Sequence, residues 1–249
     1  MKLLLATLLA ATLASCEKAP EPLQYQIISK RHHDPACYTQ GLEFHGNRLF
    51  ESGGQYGQST IREVNPADGS VIRSRSFPAS VFAEGITLLD DRLFMLTWHQ
   101  QTAYVLEPDT FKLITRHTYE GEGWGLTNDG KQLIMSNGSA TLRFINPSDF
   151  TTTRTVDVTD GTKPVDQLNE LEYIDGRIFA NIYQTEKVAR IDAATGEVTA
   201  WLDLSSLRSQ LNKPNNAEVL NGIARDPATG HLLITGKYWP NSFEIKLNN

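Results

Sequence analysis

Cysteine is nearly absent from this chain: its 249 residues include two, Cys16 and Cys37. With Cys16 consumed at the N-terminus, as argued below, Cys37 has no partner and an intrachain disulfide is excluded. Basic residues are scattered, 23 against 29 acidic ones, and form no basic stripe. The formal net charge of −6 and the lack of any RNA- or DNA-binding motif exclude nucleic acid as an expected partner. No Gly-x-Ser-x-Gly occurs, so a serine-hydrolase elbow has no support. His32-His33-Asp34 has no partner histidine at ligand spacing, so no metal centre is expected there. Gly121-Glu122-Gly123-Trp124-Gly125 is glycine-rich but opens a strand rather than a helix, which argues against a phosphate cradle.

Long apolar runs are missing except at the start, where Leu3 to Leu13 follows Met1-Lys2. That run is too short to span a bilayer as a stable anchor and predicts a cleaved signal. Leu13-Ala14-Ser15-Cys16 resembles a bacterial lipobox. Residues 1–15 are therefore expected to be a lipoprotein signal peptide, with Cys16 as the lipidated first residue of the mature chain. Each buried methylene of its acyl chains contributes roughly 0.8 kcal/mol to membrane anchoring. Glu17 is not the aspartate associated with inner-membrane retention, so a periplasm-facing, outer-membrane location is favoured. Residues 16–24 read as a proline-rich tether, and Cys37 as a buried small hydrophobe.

What is present is repetition. Five strands begin in one register at Gln40-Gly41-Leu42, Glu84-Gly85-Ile86, Trp124-Gly125-Leu126, Asn169-Glu170-Leu171 and Asn221-Gly222-Ile223. A turn and a second apolar run follow each. Fourteen residues after the leading position stand Gly54, Trp98, Gly138 and Tyr183; in the fifth repeat Lys237 follows after sixteen. A third strand ends in a turn (Ile61–Asn65, Ala103–Leu106, Leu142–Ile145, Val188–Asp192), and a more polar fourth strand comes next. A period of 40 to 52 residues with four strands per unit is a propeller signature. The fifth unit stops at its third strand, Phe243–Leu247, while Tyr25–Ile28 stands unclaimed at the other end. Pairing the two removes open edges. The expected fold is all-β: a five-bladed β-propeller over residues 25–249, closed by its terminal strands, with a short helical insertion at Ser205–Leu211.

The leading residues of inner strands face one mouth of a propeller channel: Gln40, Glu84, Trp124, Asn169 and Asn221. Two residues earlier, on the same face by strand alternation, lie Tyr38, Phe82, Glu122, Gln167 and Val219. The antiparallel second strand returns to that mouth with Trp98, Tyr183 and Lys237. Aromatic walls with a few convergent polar groups describe a small-ligand pocket. A carboxylic acid among rings has its pKa raised, as a proton shuttle near neutrality requires. The same residue types also suit a water-lined channel with a packed core around it.

At these segments the chain resembles the plant-type glutaminyl-peptide cyclotransferases of plants and bacteria. The shared segments include Tyr38-Thr39-Gln40-Gly41-Leu42, Phe82-Ala83-Glu84-Gly85-Ile86-Thr87, Gly121-Glu122-Gly123-Trp124-Gly125-Leu126, Leu168-Asn169-Glu170-Leu171-Glu172 and Thr235-Gly236-Lys237-Tyr238-Trp239-Pro240. The resemblance implies a five-bladed propeller that converts the N-terminal glutamine of peptides to 5-oxoproline and releases ammonia. It implies Glu84, Lys237 and Asn169 as catalytic residues, and Tyr38, Gln40, Phe82, Trp98, Trp124 and Tyr183 as the substrate pocket. No metal or other cofactor is implied, and a monomer is expected. Tyr38 replaces a usual phenylalanine and Tyr183 a usual tryptophan, which bears on rate and substrate preference. Two rival readings remain. One is a metal-dependent lactonase-like propeller with Glu84, Asn169 and Asn221 as oxygen ligands. The other is a non-catalytic periplasmic binding propeller.

Overall fold

The computed structural model describes residues 20–213 and 215–248. The signal segment and Cys16 lie outside the described residues. Five antiparallel sheets form the blades, numbered here I to V in chain order. Their inner strands are Thr39–His45, Ala83–Leu89, Leu126–Asn128, Leu168–Ile174 and Leu220–Arg225. All seven residues of Ala83–Leu89 are buried, because an inner strand packs against neighbouring blades on both faces. Outer strands keep one wet face. Gln24–His32 alternates exposed and half-buried along its whole length. Hairpin turns carry the left-handed residues such tight connections need, as at Asp90 and Asp91 with φ of 51° and 54°.

Ring closure follows the sequence expectation. Gln24–His32 pairs antiparallel with the C-terminal strand Asn241–Asn248 and completes blade V. Ahead of the expected start of the propeller at residue 25, Glu21–Pro22 already pair parallel with Ala200-Trp201 on the edge of blade IV. Part of the segment read as a tether therefore lies on the sheet. The helical insertion is one turn, Ser205–Arg208. A two-stranded ribbon, Thr159–Asp160 with Lys163–Pro164, joins blades III and IV and was not foreseen.

Each blade interface has its own apolar cluster. Ile86 and Met95 meet Phe50 and Ile61 between blades I and II, and Phe179 and Leu202 meet Ile223 and Phe243 between IV and V. Four interfaces hold eleven to thirteen buried apolar residues, among those described. The seam between blades V and I holds five: Leu42, Leu49, Val64, Ala224 and Leu233. Ionic groups replace the missing hydrophobes. His33 Nε2 lies 2.7 Å from Glu51 Oε1, and Arg62 pairs with Asp34 at 2.8 Å.

Along the axis, buried glutamates join blades through main-chain amides. Glu43 Oε1 accepts from Leu88 N (3.0 Å), and Glu172 Oε1 from Arg225 N (2.8 Å). Glu170 accepts from Leu42 N with one oxygen (3.2 Å) and from Ile223 N with the other (2.8 Å). Burial pushes Glu43 up to about 8 and holds Glu170 and Glu172 well above the usual carboxylate range.

Candidate active site

Four inner strands begin with a register break: between Thr39 and Gly41, Ala83 and Ile86, Leu168 and Leu171, and Leu220 and Ile223. A bulge lets consecutive residues leave the strict two-residue alternation and re-aims side chains. Asn169 thus lines a cavity while Glu170, next in sequence, reaches the amides of blades I and V. The peptides at two of these breaks are held by the preceding blade. Ser52 Oγ donates to Glu84 O (2.6 Å), and Ser136 Oγ to Asn169 O (2.7 Å).

The cavity lies at the mouth where the inner strands begin and measures about 300 Å³. All five blades contribute to it: Tyr38 and Gln40 from I; Phe82, Glu84 and Trp98 from II; Trp124 from III; Asn169 and Tyr183 from IV; Lys237 from V. Those are the nine residues that the sequence places in the pocket. Two more, Gln55 and Tyr56, come from the loop after the second strand of blade I. Position-by-position reading of the repeat passes over them because they lie one and two residues beyond its second marked position, Gly54. Asn221 does not line the cavity. It stands behind Gln40, with Nδ2 donating to Thr39 O (2.9 Å) and, at 3.4 Å, to Gln40 Oε1. A larger groove of about 720 Å³, beside Pro22, Tyr25 and Trp201, gathers no comparable set.

The second marked position of the repeat alternates between large side chains and none for a steric reason. A Cβ on Gly54 would lie 2.4 Å from Cε1 of Phe82, and one on Gly138 2.7 Å from Cη2 of Trp124. The space that a side chain would fill at these points already holds a pocket ring.

The rings form two arcs. Tyr38 meets Phe82 edge-on at 6.1 Å between centroids, Phe82 meets Trp98 at 5.3 Å, and Trp124 meets Tyr183 at 5.5 Å. Lys237 Nζ lies over Tyr38 at 4.4 Å and over Tyr183 at 5.1 Å. Opposite, Glu122 Oε2 accepts both indole N–H groups, Trp98 Nε1 and Trp124 Nε1, each at 2.8 Å. The sequence places Glu122 beside the leading ring but assigns it no role.

Inside the perimeter, Glu84 and Lys237 are each 3% exposed. Burial holds Glu84 well above the usual carboxylate range; Lys237 opposes this, the Glu122 charge adds to it, and Gln40 hydrogen-bonds the ionised form. Burial brings Lys237 down to about 8 against the pull of Glu84 and Glu218. Burial also raises Tyr38, helped by Glu218. The result is an acid that holds its proton more tightly than in water and, beside it, an amine that gives its proton up more readily.

Cys37 is buried, as expected. Its thiol forms, with His33 and Glu51, a group of potential metal-ligand atoms within 4.8 Å of one another. His33 Nδ1 faces Trp239 O at 2.5 Å, so Nε2 needs a second proton to bond the Glu51 carboxylate. Burial would lower His33, but Glu51 outweighs it and holds the imidazole above its ordinary range. Burial would likewise raise Glu51, yet His33 brings it down to about 2. The pair is an imidazolium and a carboxylate, and the imidazolium has no free lone pair for a metal.

Comparisons with known proteins agree with this geometry. The family model for glutamine cyclotransferase matches residues 1–247. A glutaminyl-peptide cyclotransferase of Arabidopsis thaliana is 37% identical over 228 residues, covering 90% of this chain and 71% of the plant protein. The crystal structure of Myxococcus xanthus glutaminyl cyclase superimposes with a TM-score of 0.86 at 34% identity, covering 92% of this chain and 98% of the other. The WD40 propeller domain of Doa1, at 10% identity and a TM-score of 0.50, shares the fold alone; it is covered to 62% and this chain to 82%.

Proposed function

Since the chain belongs to the glutamine cyclotransferase family, we propose that its pocket carries out that family's reaction, closing a peptide's N-terminal glutamine to 5-oxoproline with release of ammonia. The observation that carries the assignment is Glu84, buried among rings and facing Lys237, in a cavity built by all five blades.

The chemistry needs a proton moved twice. The substrate's α-ammonium, with a pKa of about 8, must lose a proton before its nitrogen attacks the side-chain amide carbon. Glu84 takes that proton. Its raised pKa makes it a stronger base than an ordinary carboxylate, which favours general base catalysis. Attack forms the new N–C bond and places negative charge on the amide oxygen. Lys237, charged below about 8, and the Asn169 amide stabilise that oxyanion. The tetrahedral intermediate collapses as Glu84 returns its proton to the departing nitrogen, so ammonia leaves rather than amide ion. The ring nitrogen, which still carries two hydrogens after the attack, gives one up to the released ammonia or to solvent to leave the neutral lactam. Phe82, Trp98, Trp124, Tyr38 and Tyr183 hold the glutamine side chain folded, which is the main requirement of an intramolecular attack. Gln40, bonded to Glu84, fixes the carboxylate's orientation.

The lactonase reading needs Asn221 as a ligand beside Glu84 and Asn169, and Asn221 does not line the cavity that those two share. At the level of the cell, we read Cys16 as the lipid attachment point and the propeller as a periplasm-facing monomer on the outer membrane. The lipobox and Glu17 support that reading, and fatty-acid labelling abolished by Cys16→Ser tests it. For the reaction itself, purified protein is incubated with a Gln-initiated peptide, with and without chelator. The expected result is a product lighter by one ammonia in both samples. An unchanged peptide, or turnover lost with chelator, refutes the assignment.

A further inference from the structure

The perimeter of rings is joined at two places by charge. On one side Lys237 spans Tyr38 and Tyr183; on the other Glu122 spans Trp98 and Trp124. Trp98 and Trp124 come from different blades and from different strand ends. Among the described residues, one carboxylate oxygen is the acceptor of both their N–H groups. A carboxylate oxygen has two lone pairs, so two donors at 2.8 Å saturate it. The other oxygen stands 3.5 Å from His99 Nδ1, and the His99 ring stacks on Trp98 with centroids 3.8 Å apart. Glu122 therefore touches every ring that sets the wall between blades II and III.

We infer that Glu122 is a positioning residue of the cyclisation reaction: its carboxylate holds the Trp98 and Trp124 indoles as the fixed wall against which the substrate glutamine folds. The inference rests on the cyclotransferase reading. A wall free to turn admits extended side-chain conformers that cannot close the ring, so fixing it lowers the entropic barrier to attack. The same carboxylate has a second effect. Glu84 is faced by Lys237, Gln40 and Glu122, with Tyr38 and Tyr119 nearby. Of these, Glu122 is the anion, and its charge favours the protonated form of Glu84.

Two substitutions separate the clamp from the charge. In Glu122→Gln the amide oxygen still accepts both indoles, but the charge is gone. KM is expected to stay within about twofold of wild type, while the acid limb of kcat moves to lower pH because Glu84 loses its anionic neighbour. In Glu122→Ala both charge-assisted bonds are lost. KM is expected to rise about tenfold or more, and the tryptophan emission maximum to shift as two indole N–H groups change partner. Wild-type KM and emission in Glu122→Ala, or an unmoved acid limb in Glu122→Gln, overturns the inference. Should Glu122→Ala fail to fold, Trp98→Phe carries the test: adding Glu122→Gln to it must shift the acid limb as it does alone. The two readings fail separately. A wild-type protein that cyclises no Gln peptide refutes the activity, whereas the emission spectra still decide whether Glu122 clamps the indoles.

Discussion

Glu84 and the axial glutamates Glu43, Glu170 and Glu172 are the same residue on the same kind of strand, all buried. They differ in what meets the carboxyl. Each axial glutamate receives a peptide N–H from another blade, and Glu170 receives two. Among the described residues no peptide N–H reaches the Glu84 carboxyl; the side chains of Lys237 and Gln40 face it instead. A carboxyl tied to the backbone joins blades, and one left to side chains can exchange its proton with a guest. Burial alone does not mark a catalytic acid in this fold. What sets Glu84 apart from these three is that no main-chain N–H meets its carboxyl among the described residues.

The largest expected effect that tests this contrast is Glu84→Gln, which should lower kcat about 10³-fold with an unchanged melting temperature. A matching loss of stability would make Glu84 another blade joint. Lys237→Ala should lower kcat by about 10²–10³ while KM changes much less, as for loss of one oxyanion donor. A KM effect with kcat preserved would recast Lys237 as an anchor for bound substrate. The pH profile of kcat should be a bell. Its acid limb lies above the ordinary carboxylate pKa of about 4 because Glu84 must be ionised to act. Its alkaline limb lies near 8, where Lys237 loses the charge that holds the oxyanion. The two apparent values belong to the coupled pair. An acid limb at the ordinary carboxylate value removes Glu84 as the shuttle. The smallest effect is on the other side of the contrast. Glu170→Gln sets an amide NH2 against a peptide N–H, so it should cost about 1–3 kcal/mol of stability, read from denaturant melts, and leave kcat nearly intact.

The repeat register made the propeller legible and brought candidate residues to one mouth, because leading positions and second-strand ends return there by symmetry; the selection of nine pocket residues among them was what the family resemblance implied. What broke that symmetry was hidden. Bulges at four strand starts shift the register just where the leading residues stand, so the exact aim of side chains such as Asn169 and Glu170 could not be read from alternation. Asn221 occupies a leading position yet packs behind Gln40, a difference visible only once side chains are placed. Gln55 and Tyr56 enter through a loop outside the repeat. Glu122 sat in the right ring, but a carboxylate that bonds two indoles has no signature in spacing. Conversely, the bare glycines at 54 and 138 were a signal of crowding: the missing side chains mark where Phe82 and Trp124 stand.

The seam between blades V and I gives the molecule a topological weak point with a chemical consequence. Gln24–His32 pairs with Asn241–Asn248 within blade V, and the chain then crosses this seam to begin blade I at Thr39. The turn that follows Lys237 is tied to the same seam: Tyr238 N donates to Cys37 O, and His33 holds the carbonyl of Trp239. Parting blade V from blade I would therefore withdraw the lysine before any other blade had unravelled. Loss of activity on heating or in acid would then report the unlatching of one joint rather than the melting of the wheel.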